Sequence, residues 1–186
     1  MVTVLCARRD SIYKRLGVDV FDADRNAFYF GGSGPVVAHP PCRLWGRLKG
    51  FAKSKDEERE RDLAMFCVKK VRENGGVLEH PEHSALWSAA NLPRPGKACG
   101  RNGEAGFSIS LPQLWLGHRA AKWTWLYVCG LSMRDVPAMP MVLDGPGVIP
   151  VESMGKAERE RTPEPMARWL IELAGKVRFS VNQQTQ

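Results

Sequence analysis

Residues 36–42 read VVAHPPC, and residues 76–81 read GVLEHP. Each is a short apolar run that ends at proline, which is the pattern of a buried strand that stops where the chain loses a backbone donor. Between them, apolar residues recur at helical spacing until Asn74-Gly75-Gly76, a sequence typical of a helix end. The residues at that spacing are Leu63, Phe66, Cys67, Val68 and Val71. These stretches predict a strand–helix–strand unit, which joins parallel strands.

Similar patterns lie on both sides of this unit. Apolar runs at residues 1–7, 18–21 and 125–129 predict further strands, and helices are expected at residues 11–16 and after Thr162-Pro163. Strands that alternate with helices predict an α/β, Rossmann-like fold, in which a mostly parallel sheet carries helices on both faces. We expect a single domain over residues 1–179, followed by a polar tail at residues 180–186.

Composition restricts the class of protein. The 186-residue chain has a formal charge of +7 and five cysteines. This odd, scattered set of cysteines does not form a disulfide framework and fits a cytoplasmic protein. The N-terminal segment reaches charged residues too early for a secretory leader, and no apolar run approaches the ~20 residues of a membrane span, so no membrane partner is expected. A basic chain favours polyanionic partners, and we expect DNA, with RNA or a nucleotide as alternatives.

Two reactive side chains follow apolar strands at the sheet edge where open α/β sheets bind ligands. Cys42 comes after Pro40-Pro41, which stiffens the turn and directs the thiol away from the sheet; the alternative is a small buried apolar residue. Glu79 ends the next predicted strand, where burial is expected to raise the pKa of its carboxyl so that it holds a proton near neutrality. The alternative for Glu79 is a structural ion pair or a turn cap.

The arrangement resembles the DNA cytosine-5 methyltransferase family in three stretches: VVAHPPCRLWG at residues 36–46, GVLEHP at residues 76–81 and HRAAKWTWLYV at residues 118–128. The resemblance implies that Cys42 attacks C6 of a flipped-out cytosine and that Glu79 assists as the acid at N3. It also implies supporting roles for Arg119 and Lys122, and S-adenosylmethionine as the methyl donor.

The same resemblance places the donor after the first two strands, where Asp22 and Asp24 would hold the ribose and Cys6 would lie in the donor loop. The chain departs from the family here, because residues 6–10 read CARRD and contain no glycine. His80 stands where the family has asparagine, and the chain has no room for a target-recognition domain. The expectation is therefore a minimal member, of the type often encoded by bacteriophages.

Basic and aromatic residues near Cys42 are candidates for contacts with nucleic acid, through phosphate or base stacking. Arg43, Trp45, Arg47 and Lys49 follow Cys42 closely, and Lys122, which precedes the strand at residues 125–129, is a further candidate. For Trp45 the alternative is packing within the protein. Two alternatives remain open. The chain could be a non-catalytic DNA-binding accessory or antirestriction protein with a methyltransferase-like shell. It could also be a zinc-dependent base-modifying enzyme, because four possible ligands have metal-like spacing. That set is His39, Cys42, His80 and His83.

Overall fold

The computed structural model describes residues 1–46, 56–97, 106–142 and 147–178. These described residues form six strands and five α-helices. The strands are β1 (Thr3–Leu5), β2 (Asp19–Phe21), β3 (Val36–Ala38), β4 (Gly76–Pro81), β5 (Phe107–Pro112) and β6 (Trp123–Cys129). The helices are α1 (Ile12–Arg15), α2 (Glu57–Asn74), α3 (Leu86–Ala89), α4 (Lys156–Arg159) and α5 (Glu164–Gly175).

One mixed sheet with the strand order β2-β1-β3-β4-β6-β5 organises the domain. The pairs β1–β2, β1–β3 and β3–β4 are parallel, whereas β6 runs antiparallel to both β4 and β5. The prediction of a single, mostly parallel α/β domain is therefore confirmed. The antiparallel pair of β5 and β6 was not predicted, although its first strand, FSISLP, alternates apolar and polar residues, which is a strand signal that was overlooked after the glycine-rich loop.

Helices cover both faces of the sheet, as predicted. On one face, α2 packs its buried Ala64, Cys67 and Val68 against inward side chains of β3 and β4. On the other face, α1 and α5 cover Val37 and Val77. Because side chains along a strand alternate between faces, this layering fixes which face each later residue occupies.

Gly76 begins β4 at the centre of the sheet and needs to be glycine. Its φ of +121° lies in a region that favours glycine, and a Cβ atom there would collide with the carbonyl oxygen of Val36 on β3. The close approach sets the β3–β4 register, in which Gly76 faces Val36 and Leu78 faces Ala38.

Several boundaries differ from the sequence expectation. β4 continues through His80 to Pro81, because both residues pair with β6 even though β3 has already ended. None of the described helices is both long and apolar enough to cross a membrane. The residues of the expected polar tail, 180–186, lie outside the described parts of the chain, as does residue 179.

Candidate functional site

A cleft of about 770 Å³ lies beyond the carboxyl ends of β1, β3 and β4. Its walls come from the turn after β1, the segment after β3, the end of β4, the residue before β6, and the chain around α4 and the start of α5. The polar and reactive side chains that line it include Cys6, Arg8, Asp10, Tyr13, His39, Cys42, Glu79, Lys122, Glu160 and Arg161. The structure therefore brings Cys42 and Glu79 to the same cleft.

Strand lengths explain why Glu79 lies at the floor of this cleft. Val77 faces α5 and Leu78 faces α2, so alternation turns Glu79 toward the α5 face. β3 ends at Ala38, which pairs with Leu78, so it stops one residue before it would pair with Glu79. On the other side of β4, Glu79 still pairs with β6. His39, the next residue, lies on the same face as Glu79, and its amide donates a backbone hydrogen bond of 3.0 Å to the Leu5 carbonyl, which holds it beside β1.

The Glu79 carboxylate accepts hydrogen bonds from three side chains on three different elements. His39 Nδ1 lies 3.1 Å from Oε2, Gln113 Nε2 donates to Oε1 at 3.0 Å, and the Thr124 hydroxyl also donates to Oε1. Because a carboxylate is an acceptor, His39 carries its proton on Nδ1. Its Nε2 lies 2.8 Å from the Tyr13 hydroxyl, which extends the network to α1.

These contacts determine the charge of Glu79. Burial acts to raise the pKa of its carboxyl, but the positive charge of Lys122 and the hydrogen bonds from His39 and Thr124 outweigh burial and lower the pKa well below its usual range. The prediction of a raised pKa was therefore wrong. It considered burial alone, and the residues that supply the opposing donors lie far from Glu79 in sequence.

Cys42 lies at the cleft wall, four residues after the end of β3. Its carbonyl oxygen accepts hydrogen bonds from the amides of Trp45 at 3.1 Å and Gly46 at 2.9 Å, which close a tight turn after Pro40-Pro41. The side chain is exposed, so the thiol is accessible from the cleft. Desolvation by the surrounding walls nevertheless raises the pKa of the Cys42 thiol, and the negative charge of Glu79 adds to this effect, while Lys122 opposes it.

Lys122 therefore acts electrostatically on both reactive groups. The turn before β6 positions it: its amide donates to the Ala120 carbonyl at 2.7 Å, and its own carbonyl accepts from the Gln113 amide at 2.9 Å. Arg119, the other expected support, does not line the cleft. It donates instead to the Glu158 carboxylate at 2.9 Å and holds the segment around α4.

The electrostatic coupling gives a prediction about the reactivity of Cys42. Because Lys122 lowers the pKa of the thiol and Glu79 raises it, Lys122→Gln should slow alkylation of Cys42 by iodoacetamide severalfold near neutral pH, and Glu79→Gln should accelerate it. The rate for every variant should rise with pH. The measurement is mass spectrometry of the tryptic peptide of residues 26–43, which contains Cys42 as its single cysteine. Equal rates in the two variants would contradict this coupling.

Of the described residues expected to contact nucleic acid, Arg43 and Trp45 have other partners, whereas Lys122 lines the cleft. Arg43 makes a two-pronged ion pair with Glu60, at 2.7 and 2.5 Å. Trp45 is only 7% exposed and packs in the core beneath α2, with the Arg61 guanidinium 5.3 Å from its ring centre, so it does not present a free face for stacking on a base. Arg47 and Lys49 lie outside the described residues.

The residues expected to hold the methyl donor do not converge. The Asp22 carboxylate accepts from the Lys14 ammonium at 2.5 Å and from the amides of Asp24 and Arg25 at 2.9 and 3.2 Å. Asp24 itself pairs with Arg9 at 2.7 Å on the surface. Neither aspartate lines the cleft, whereas Cys6 does.

The alternative metal set is wrong for this structure. Among the described residues, which include all four proposed ligands, no three His, Cys, Asp or Glu side chains are grouped to hold a metal ion. His80 is fully buried, its Nδ1 lies 2.7 Å from the Ser84 hydroxyl, and burial lowers its pKa to about 4. His83 instead contacts Trp125 edge to face, and His39 belongs to the Glu79 network.

Sequence reasoning missed Tyr13, Gln113 and Thr124 as members of the site. Thr124 lies within the apolar run WTWLYV, and Gln113 follows an apolar strand. Because buried polar groups need hydrogen-bond partners, a lone polar residue in such a run is a usable signal for a buried network.

Comparison with protein-family models finds no match for the chain, and no curated protein is significantly similar to it in sequence.

Proposed function

We propose that the chain modifies a pyrimidine base, most directly cytosine in DNA, through addition of the Cys42 sulfur to C6 of the ring. One observation carries the proposal: the accessible thiol of Cys42 and the buried carboxylate of Glu79 line the same cleft, and the positive charge of Lys122 lowers the pKa of both. A nucleophile beside charged groups that respond to charge developing on the ring is the arrangement that such an addition requires. The basic balance of the chain, +7, agrees with a polyanionic substrate.

The reaction can be followed through the groups in the cleft. Cys42 loses its proton to solvent, its sulfur forms a bond to C6, and the electron pair of the C5–C6 double bond moves toward N3. N3 then takes a proton from solvent, which makes the adduct neutral, and the Glu79 carboxylate accepts a hydrogen bond from that N–H. Three donors occupy the Glu79 carboxylate, and Oε2 retains a second acceptor position for the ring. In the adduct, C5 is nucleophilic.

S-adenosylmethionine would supply a methyl group for C5, but the residues that the resemblance assigns to this donor do not fit it. The Asp22 carboxylate is already occupied by Lys14 and two backbone amides, and Asp24 faces Arg9. Arg8 also spans this end of the cleft through ion pairs with Asp10 and Glu160. The proposed activity is therefore covalent activation of the base, with no transfer step assigned.

Exchange of the C5 hydrogen tests the proposal without a donor. In the adduct, C5 can take a proton from water and then release the original hydrogen, so an oligonucleotide with deuterium at C5 of cytosine should lose that label when incubated with the full chain. Nucleoside mass spectrometry measures the loss, and Cys42→Ser should abolish it. Retention of the label in every sequence context, on cytosine and on uracil alike, would refute the proposal.

Binding without catalysis is the second candidate, and the misfit of the donor residues favours it. A protein of this kind should bind DNA electrostatically, with an affinity that falls steeply as salt concentration rises. Salt-dependent binding that is unaffected by Cys42→Ser, together with complete retention of deuterium, would establish this candidate in place of the enzyme.

A further inference from the structure

Two cysteines that are far apart in sequence contact each other at one end of the cleft. Cys6 follows β1 directly, Cys67 lies within α2, and their sulfur atoms are 3.5 Å apart although 61 positions separate them in the chain. We propose that Cys6 and Cys67 form a redox-active dithiol, which a hydroperoxide converts to an intramolecular disulfide. The proposal does not depend on the reaction proposed for Cys42.

The two thiols differ in accessibility in the way that such a reaction requires. Cys6 lines the cleft and is partly exposed, whereas Cys67 is completely buried beneath the sheet. A small hydroperoxide entering the cleft therefore meets Cys6 first. The hydrogen bond between the sulfurs and burial raise the pKa of Cys67, so Cys67 remains a thiol until its neighbour is oxidised.

The chemistry balances with a hydroperoxide as the oxidant. The Cys6 sulfur attacks the peroxide oxygen, the O–O bond breaks, and with hydrogen peroxide the products are a sulfenic acid and one water. The Cys67 sulfur then attacks the sulfenic sulfur, its proton joins the departing hydroxyl, and a second water leaves. Two thiols are thus oxidised to one disulfide while one peroxide is reduced to two waters.

The backbone at Cys6 is unusual in a way that agrees with this role. Its φ is +61°, in the left-handed region that residues other than glycine rarely adopt. In this conformation the chain leaves β1 with the Cys6 sulfur in contact with Cys67 of α2 while the residue still lines the cleft. Rare backbone conformations of this kind are concentrated at functional sites, where the surrounding structure fixes the position of a side chain.

Oxidation would change the cleft as well as the thiols. A disulfide needs its sulfurs about 2.05 Å apart, so the present separation of 3.5 Å must shorten by roughly 1.5 Å. Because Cys6 belongs to the cleft wall and Cys67 is fixed in the core, most of that movement falls on the turn after β1. The cross-link would also tie β1 to α2 across a long loop, which restricts the unfolded chain.

Peptide mapping tests the proposal on the full wild-type chain. The protein is reduced, desalted, treated with hydrogen peroxide, quenched in acid, and alkylated under denaturing conditions before trypsin digestion. We expect a linked pair of the peptides of residues 1–8 and 62–69, each of which has one cysteine, with a mass two hydrogens below their sum. Dithiothreitol should separate the pair, and oxidation should raise Tm by ~5 °C or more in a reversible way.

Two variants complete the experiment. Cys42→Ser should leave the linked pair unchanged, because the contact between the two sulfurs joins Cys6 and Cys67 and does not involve Cys42. Cys67→Ala should leave Cys6 as a sulfenic acid that dimedone labels, since its resolving partner is missing. Recovery of Cys67 as a fully alkylated free thiol after peroxide treatment of the wild type would overturn the proposal, whether or not Cys6 is oxidised.

Discussion

Cys42→Ala should abolish covalent capture of an oligonucleotide that contains a 2-pyrimidinone base, whereas the wild-type chain should form the adduct. This base lacks the amino group of cytosine, so C6 is more electrophilic and addition does not depend on a methyl donor. The exposed thiol of Cys42 lies in the same cleft as the Glu79 carboxylate that would stabilise the product. A shift in denaturing gel electrophoresis, followed by peptide mapping of the attachment site, is the measurement.

The matched control is Cys6→Ala under reducing conditions. Cys6 also lines the cleft and is partly exposed, but it contacts Cys67 and takes no part in the proposed addition. Its replacement should leave capture intact. The free energy of unfolding of Cys42→Ala should stay within about 1 kcal/mol of the wild type, because the residue is exposed and its replacement is small. An adduct that persists in Cys42→Ala would assign the nucleophile to another residue.

Glu79→Gln should lower the free energy of unfolding by about 2–4 kcal/mol at pH 7, since it breaks a buried charged network. A glutamine side chain has one acceptor oxygen and an amide group, so it cannot accept from His39, Gln113 and Thr124 together. The loss of charge also removes the favourable electrostatic interaction with Lys122. Chemical denaturation at several pH values is the measurement.

The pH dependence of this difference has a definite sign. Folding lowers the pKa of Glu79, so its ionisation stabilises the folded chain above the pKa of the unfolded state, about 4.3, and that stabilisation is lost as pH falls toward the lower folded value. The difference in unfolding free energy between wild type and Glu79→Gln should therefore narrow by about 1.4 kcal/mol for each pH unit below that point.

Glu158→Gln is the control: its carboxylate is an exposed partner of Arg119, and its replacement should lower the free energy of unfolding by less than ~1 kcal/mol. A gap that stays constant from pH 7 to pH 3 would contradict an ionised Glu79.

The sheet could be predicted because its signal is local. Short apolar runs such as residues 36–38 end at glycine or proline, and the helix between β3 and β4 has a clear apolar face. Residues 107–111 read FSISL and alternate apolar and polar residues, so β5 has a local strand signal that was overlooked; only its place beside β6 depends on antiparallel pairing. The last two residues of β4 were missed because they pair with β6 alone, and pairing across the sheet is a tertiary property.

The candidate site was only partly predictable for a similar reason. Cys42 follows β3 and Glu79 lies near the end of the neighbouring β4, so topology alone brings them to one cleft. The charge of Glu79 depends on Gln113, Thr124 and Lys122, which reach it only through β6 and the turn before it. For Trp45 the sequence left base stacking and core packing open, and the structure shows packing: the tight turn after Cys42 directs the ring inward, because a large apolar ring gains more from burial than from solvent.

The register of β4 determines whether the Glu79 carboxylate reaches the cleft. A slip of one residue would exchange the two faces of the strand and present Leu78 or His80 where His39 and Thr124 now meet Glu79. Gly76 opposes such a slip, because no other residue tolerates the close approach to Val36. Assembly of the site is therefore all-or-none: a chain in the native register has the complete network, and a chain in any other register has none of it. The fraction of molecules in a preparation that carry the complete Glu79 network should consequently equal its natively registered fraction.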